Sequence, residues 1–400
     1  MQSSVVYSLT ICAILLTAIL ITIIVVLVPE SDTLAAPPSC SAYPCDATCD
    51  MKVSPCNGLV FEENFDTFDL QRWQHEITMS GGGNWEFQYY TNNRTNSYVR
   101  DNTLFIKPTL TADHYGESFL SSGVLDLWGG SPADFCTGNA FWGCQRTGTP
   151  NNYINPVQSA RIRSVNSFAI QYGRIEVVAK MPSGDWLWPA IWMLPRDNRY
   201  GGWPASGEID IIESRGNINL TDAEGVSKGR DNMGMTLHWG PYFPLNGYPK
   251  TTIESHPASG TYASAFHTWV VDWTAEYIDL FVDGKLLRRV DPGPGGFFDY
   301  GEFEKEAPGI DNPWANSNNK MTPFDQEFYI LINVAVGGTN GFFPDSWINA
   351  PREKPWKNDS PTAMKDFWLK KDEWYPSWQP DVDNGENAAM QVRSIKVWAK

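Results

Sequence analysis

From Leu59 onward, apolar and polar residues recur with a period of two in short runs, separated by Gly, Pro, Asn and Asp. Arg174 to Ala179 alternates apolar and polar residues, which predicts a strand with one buried face. Trp269 to Val282, ending in Asp283-Gly284, predicts a strand pair closed by a tight turn. Phe328 to Val336 is a continuous apolar run suited to a buried central strand. No long amphipathic helix and no solenoid-length repeat interrupts this pattern. Many evenly spaced strands predict an all-β, two-sheet sandwich. Segments 126–152, 219–232 and 289–321 are rich in Gly, Asn, Pro or aromatic residues and are expected to be loops.

One run breaks the alternation: Gly207-Glu208-Ile209-Asp210-Ile211-Ile212-Glu213. Its β-branched residues and its Gly- and Pro-bounded flanks predict a strand. Alternate side chains share a face, so Glu208 and Asp210 point one way and Glu213 the other. A β-bulge, most simply at Ile211-Ile212, absorbs one residue and returns Glu213 to the acidic face. The outer pair would then sit roughly 13 Å apart along the backbone. Two Glu side chains leaning inward from that spacing reach the ~5–5.5 Å carboxyl separation of a retaining glycosidase. Glu208 would be the nucleophile and Glu213 the acid and base, with Asp210 holding the two in different protonation states. The competing interpretation of the motif alone is an exposed edge strand decorated with acids.

The surrounding residues bear on that choice. Trp188-Pro189-Ala190-Ile191-Trp192-Met193-Leu194-Pro195, then Gly202-Trp203-Pro204, then the acidic run, resembles the core signature of glycoside hydrolase family 16, in its laminarinase branch. Tyr172-Gly173-Arg174-Ile175-Glu176, Thr236-Leu237-His238-Trp239-Gly240, Trp269 to Thr274 and Asn333 to Gly338 follow in the family's order. The resemblance runs from about Leu59 to Trp398, and the Cys136 to Cys144 insertion is similar to the animal subgroup of glucanases and β-1,3-glucan-binding proteins. It implies a concanavalin A-like β-jelly roll with a concave glycan cleft and retaining endo-hydrolysis of β-1,3-glucans. It further implies that Trp203 stacks on the sugar at the cleavage point, and that Trp192, His238, Glu176 and Asn333 occupy cleft positions. For Trp192, packing between sheets is the alternative. Family members often carry a structural calcium. Here Arg393 stands where a ligating Asp is usual, which argues against calcium despite Glu62, Glu63 and Asp66 upstream. No catalytic metal or cofactor is expected.

Composition narrows the partners. A net charge of −16 argues against nucleic acid, while a neutral polysaccharide needs apolar surface rather than charge. The 18 Trp, 16 Tyr and 20 Phe can supply that surface, although a sandwich core also consumes aromatics. A monomer is expected.

The uncharged stretch from Val5 to Val28 is 24 residues long, longer than an ordinary signal core and enough to span a bilayer. Residues 1–31 therefore read as either a cleaved signal peptide or a membrane anchor, 32–57 as a Cys/Pro-rich stalk, and 58–400 as the catalytic domain. Both alternatives place the bulk of the chain outside the cytosol. There, Cys136 with Cys144 would close a short loop, and Cys40, Cys45, Cys49 and Cys56 would pair among themselves with open connectivity. The spacing lacks the paired C-x-x-C of a zinc site. Sequons at Asn93, Asn219 and Asn358 suit a secreted glycoprotein. Two alternatives to hydrolysis stay open: a binding protein on the same fold, and a transglycosylase using the same carboxylates.

Overall fold

The computed structural model describes residues 58–400 and builds two antiparallel sheets packed face to face. The seven-stranded sheet runs, in spatial order, Ile253–Ser255, Met233–His238, Glu208–Ser214, Leu187–Pro195, Phe328–Val336, Arg161–Arg163 and Gln74–Glu76. The second sheet runs Lys285–Val290, Ile278–Val282, His267–Trp273, Gly173–Lys180, Met390–Ala399, Thr103–Ile106 and Ser97–Arg100, with Leu59–Glu63 as an eighth strand against Met390–Ala399. The longest helix among the described residues, Ala363–Leu369, has seven residues. No helix among them is long and apolar enough to cross a membrane. The Val5 to Val28 stretch and Cys40, Cys45, Cys49 and Cys56 lie outside the described residues.

Period-two patterning accounts for the packing. In Gly173–Lys180, Ile175, Val177 and Ala179 are fully buried between the sheets while Arg174, Glu176 and Val178 face outward. Opposite them, Ile330, Ile332 and Val334 of Phe328–Val336 point inward, as do Ile209 and Ile212 of the acidic strand. Each such side chain contributes about 1.5–3 kcal/mol on burial. Phe328–Val336 is the predicted central strand with the predicted limits, and its outward residues are buried too. Asp283-Gly284 forms the expected tight turn, with both residues at positive φ, between Ile278–Val282 and Lys285–Val290.

The three expected loops hold more structure than their composition suggests. Segment 289–321 contains the short helices Gly296–Gly301 and Phe303–Glu306. Its Phe297, Phe303 and Trp314 are buried, the first two against the Trp239 ring, so long-range packing orders a stretch with weak local propensity. Segment 126–152 carries the Gln145–Thr147 half of a small hairpin with Val124–Asp126, together with the Cys136–Cys144 disulfide. Leu220–Thr221, in 219–232, pairs with Ile348–Asn349.

Candidate active site

The geometry of the acidic strand turns on one extra residue. Asp210 is opposite Thr236, and Glu213 is opposite Gly234, so three steps on the acidic strand match two on its neighbour. On the other side Trp192 faces Asp210 while Ile191 faces Ile212, which identifies Ile211 as the inserted residue. Both Ile211 and Ile212 are fully buried. The bulge thus keeps two consecutive apolar side chains out of water and brings Glu213 round to the face of Glu208 and Asp210.

That face is the outer surface of the seven-stranded sheet. Across it one row of paired residues reads Arg161, Asn333, Ala190, Glu213 and Gly234, and the next carries Leu331, Trp192, Asp210 and Thr236. Gly234, which has open space where a Cβ would be, leaves room beside Glu213.

Each carboxylate has a different set of partners. Glu208 Oε2 accepts a hydrogen bond from Trp203 Nε1 at 2.6 Å. Glu213 Oε1 accepts one from Trp188 Nε1 at 2.9 Å. Asp210, 2% exposed, has its Oδ2 3.2 Å from His238 Nε2 without the alignment of a hydrogen bond, and that oxygen has no other partner among the described residues. Asn246 orients His238. Its Oδ1 accepts from the backbone N–H of Trp239 and of Tyr248, so its amide nitrogen must donate to His238 Nδ1, at 2.9 Å. The imidazole proton is therefore on Nε2, the nitrogen facing Asp210.

None of the three acids pairs with Lys or Arg among the described residues. Burial, and then repulsion from Asp210, pushes the Glu208 carboxyl well above the ordinary range. Burial and the Glu213 charge do the same to Asp210. Burial also raises Glu213, against opposition from the Trp188 hydrogen bond and the Arg215 charge. The cluster therefore holds its protons more tightly than free carboxyls do, and they belong to the group rather than to one residue.

Other expected residues divide. Trp203 is 44% exposed beside His238 and Phe243, at ring separations of 5.6 and 6.1 Å. Its loop is braced by Trp314 Nε1 donating to Ala205 O. Trp192 lies on the acidic face, not between the sheets; its Nε1 donates to Asn333 Oδ1 at 2.8 Å, and Arg161 covers its ring. Asn333 is buried, so its carbonyl positions Trp192 and does not face an open surface.

Glu176 requires a correction. It lies on the outer face of the other sheet, opposite Val270 and Lys396 and ion-paired with Arg174, away from the three acids. The Tyr172 to Glu176 motif marks a strand correctly, but its inward residues are Ile175 and Val177, and parity sends Glu176 to the far surface.

Where family members often carry calcium, Glu63 accepts from Phe65 N and Trp73 Nε1, Glu62 pairs with Lys396, and the Arg393 guanidinium lies over Phe266. Glu63 is thus satisfied by protein donors. Cys136 and Cys144 are bridged as expected. Asn93 is exposed, Asn219 donates to Ala350 O, and half-buried Asn358 donates to Phe343 O.

Trp188 and Asn246 were not foreseen in these roles. Parity carried the signal for Trp188, since it shares a face with Trp192 and lies diagonally across from Glu213. Asn246 comes from a loop eight residues beyond His238 and left no local signal.

This fold and acid constellation define a class. The profile described as "Glycosyl hydrolases family 16" matches residues 144–296, and the chain belongs to that family, on the laminarinase and animal glucan-binding side. Over 364 residues it is 53% identical to the "Beta-1,3-glucan-binding protein" of Penaeus monodon, covering 90% of this chain and 92% of that protein. It is also 32% identical over 294 residues to "Glucan endo-1,3-beta-glucosidase A1" of Niallia circulans, covering 70% of this chain and 34% of that longer protein. The solved laminarinase of Rhodothermus marinus superposes with a TM-score of 0.50 at 23% identity, covering 86% of this chain and 97% of that one, which establishes the shared jelly-roll fold.

Proposed function

We propose that the chain is an extracellular endo-β-1,3-glucanase acting by double displacement. The observation that carries this reading is the bulge at Ile211, which sets Glu208, Asp210 and Glu213 on one face with no Lys or Arg paired to them among the described residues. In the first step the Glu208 carboxylate attacks the anomeric carbon, and the C–O bond to the leaving chain breaks. Glu213 donates its proton to that departing oxygen. In the second step Glu213 takes a proton from water, and the resulting attack on the same carbon releases Glu208 with the β configuration restored. Buried Asp210 keeps a proton near Glu208 and limits the charge in the cluster, and Trp188 keeps the Glu213 carboxyl in place by its hydrogen bond.

The names of the relatives support β-1,3-glucan as ligand, and the Cys136–Cys144 bridge supports an oxidising, extracellular setting. A second reading, glucan capture without cleavage, is favoured by the naming of the 53% identical relative as a binding protein. Laminarin incubated with the purified chain separates the two. Hydrolysis should release reducing ends whose proton NMR shows the β anomer first, and Glu208→Gln should reduce turnover by ~10³-fold or more while glucan binding persists. Absence of new reducing ends from the unaltered chain, with laminarin still bound, would establish the capture reading. Elongated products at high substrate would show that a sugar hydroxyl replaces water in the second step.

A further inference from the structure

Three large aromatic side chains stand exposed on neighbouring loops: Trp85, Phe141 and Trp142, the last with 71% of its surface in water. The Trp85 and Phe141 rings touch, with centroids 5.2 Å apart. All three residues have φ near +55°, in the left-handed region that branched and bulky residues avoid. The surroundings keep them there. The Cys136–Cys144 bridge closes the loop, Arg146 Nη2 donates to Phe141 O, and Met79 N donates to Gly143 O. Exposed rings held in strained backbone by a covalent clasp form a preorganised surface, one that loses little freedom when something binds.

The patch is continuous with the acidic face. Next to Trp85, Asn84 receives hydrogen bonds from Thr339 N and from Asn340 Nδ2. Two residues on, Phe342 stacks on Trp188 with ring centroids 3.8 Å apart, and Trp188 holds Glu213. On the other side of Trp85, Glu86 is close enough to raise the proton affinity of Glu213 and pairs with Arg161. The aromatic loops therefore extend the acidic face beyond its Glu213 end. Trp203, Phe243 and Tyr248 mark the opposite, Glu208 end.

We propose that Trp85, Phe141 and Trp142 form a second stacking platform for the same polysaccharide, engaging glucose units of a chain that runs past Glu213. The inference rests on the glucan reading given above. Pyranose rings present apolar C–H faces that match flat aromatic rings. A polyanion is disfavoured on this patch, because the chain carries a net charge of −16, whereas a neutral polysaccharide meets no such repulsion. A platform at this distance is useful only to a chain long enough to reach it, so the protein should discriminate by polymer length.

The test compares Phe141→Ala/Trp142→Ala with its parent, both in a Glu208→Gln background to prevent cleavage, by calorimetric titration with laminarin and with laminaritriose. The double variant should bind laminarin ~10-fold or more weakly, with laminaritriose affinity changed less than about 2-fold. Trp142→Tyr, which keeps a stacking ring, should retain laminarin affinity within about 2-fold. Equal losses for the two ligands, or an unchanged laminarin affinity, would overturn the platform while leaving the glucan reading intact. A parent that binds neither ligand would overturn the glucan reading and the platform with it.

Discussion

The two sheets use acidic residues in opposite ways. On the outward face of the eight-stranded sheet, acids meet bases: Glu176 with Arg174, Asp279 with Arg289, Asp272 with Lys400 and Glu62 with Lys396. On the seven-stranded sheet, Glu208, Asp210 and Glu213 crowd one strand with a single histidine for company. The first arrangement is ordinary solvation of a surface, and each such pair contributes little. The second costs folding stability, because burial and mutual repulsion disfavour the ionised forms. Unpaired acids in one place, on a fold that pairs them elsewhere, mark a candidate functional site rather than a decorated strand.

The sharpest way to break the contrast is Glu213→Gln, which keeps the shape of the side chain and removes the proton it would give to a leaving oxygen. Laminarin cleavage should fall by ~10²-fold or more. Cleavage within about 2-fold of the parent's would mean that Glu213 is not the acid.

Asp210→Asn sharpens the same contrast through pH. A carboxyl whose affinity for protons is raised by folding stabilises the native state below its unfolded pKa, and that contribution fades as pH rises through the folded pKa. Asparagine has no proton to lose. The variant should therefore melt above the wild type at pH 8, by roughly 2–4 °C for each kcal/mol regained, and show little gain at pH 4. Its catalytic rate should fall at the same time, as expected where activity is maintained at the expense of stability. A gain equal at both pH values would show that the strain is not electrostatic.

Glu176→Gln should do least. It removes one partially exposed ion pair on the far sheet, so stability should move by less than about 1 kcal/mol and the kcat/KM on laminarin by less than about 2-fold. A large loss of activity would return Glu176 to the reaction.

Much of this was legible in the chain. The alternation at Arg174 to Ala179 and the apolar run from Phe328 to Val336 announce their strands, because side-chain direction in a strand is a local property. The parity conflict between Asp210 and Glu213 even points to the position of the bulge. Glu176 was misplaced because parity says which residues share a face and not which face looks onto the acids. The order in 289–321 was missed because Trp239, which packs on it, is about 60 residues away in the chain.

By itself, then, the sequence determined the strand periods, the acid triplet with its need for a bulge, and the family signature, all of which reside in residues a few positions apart. Only the tertiary structure decided which side of which sheet became the acidic face. It also decided that Trp188 and Trp203 each hold one glutamate, that Asn246 sets the histidine tautomer, and that Trp85 joins Phe141 beside the Glu213 end. Those relations depend on register and packing between distant segments, where a shift of one residue changes every neighbour while the local pattern stays the same.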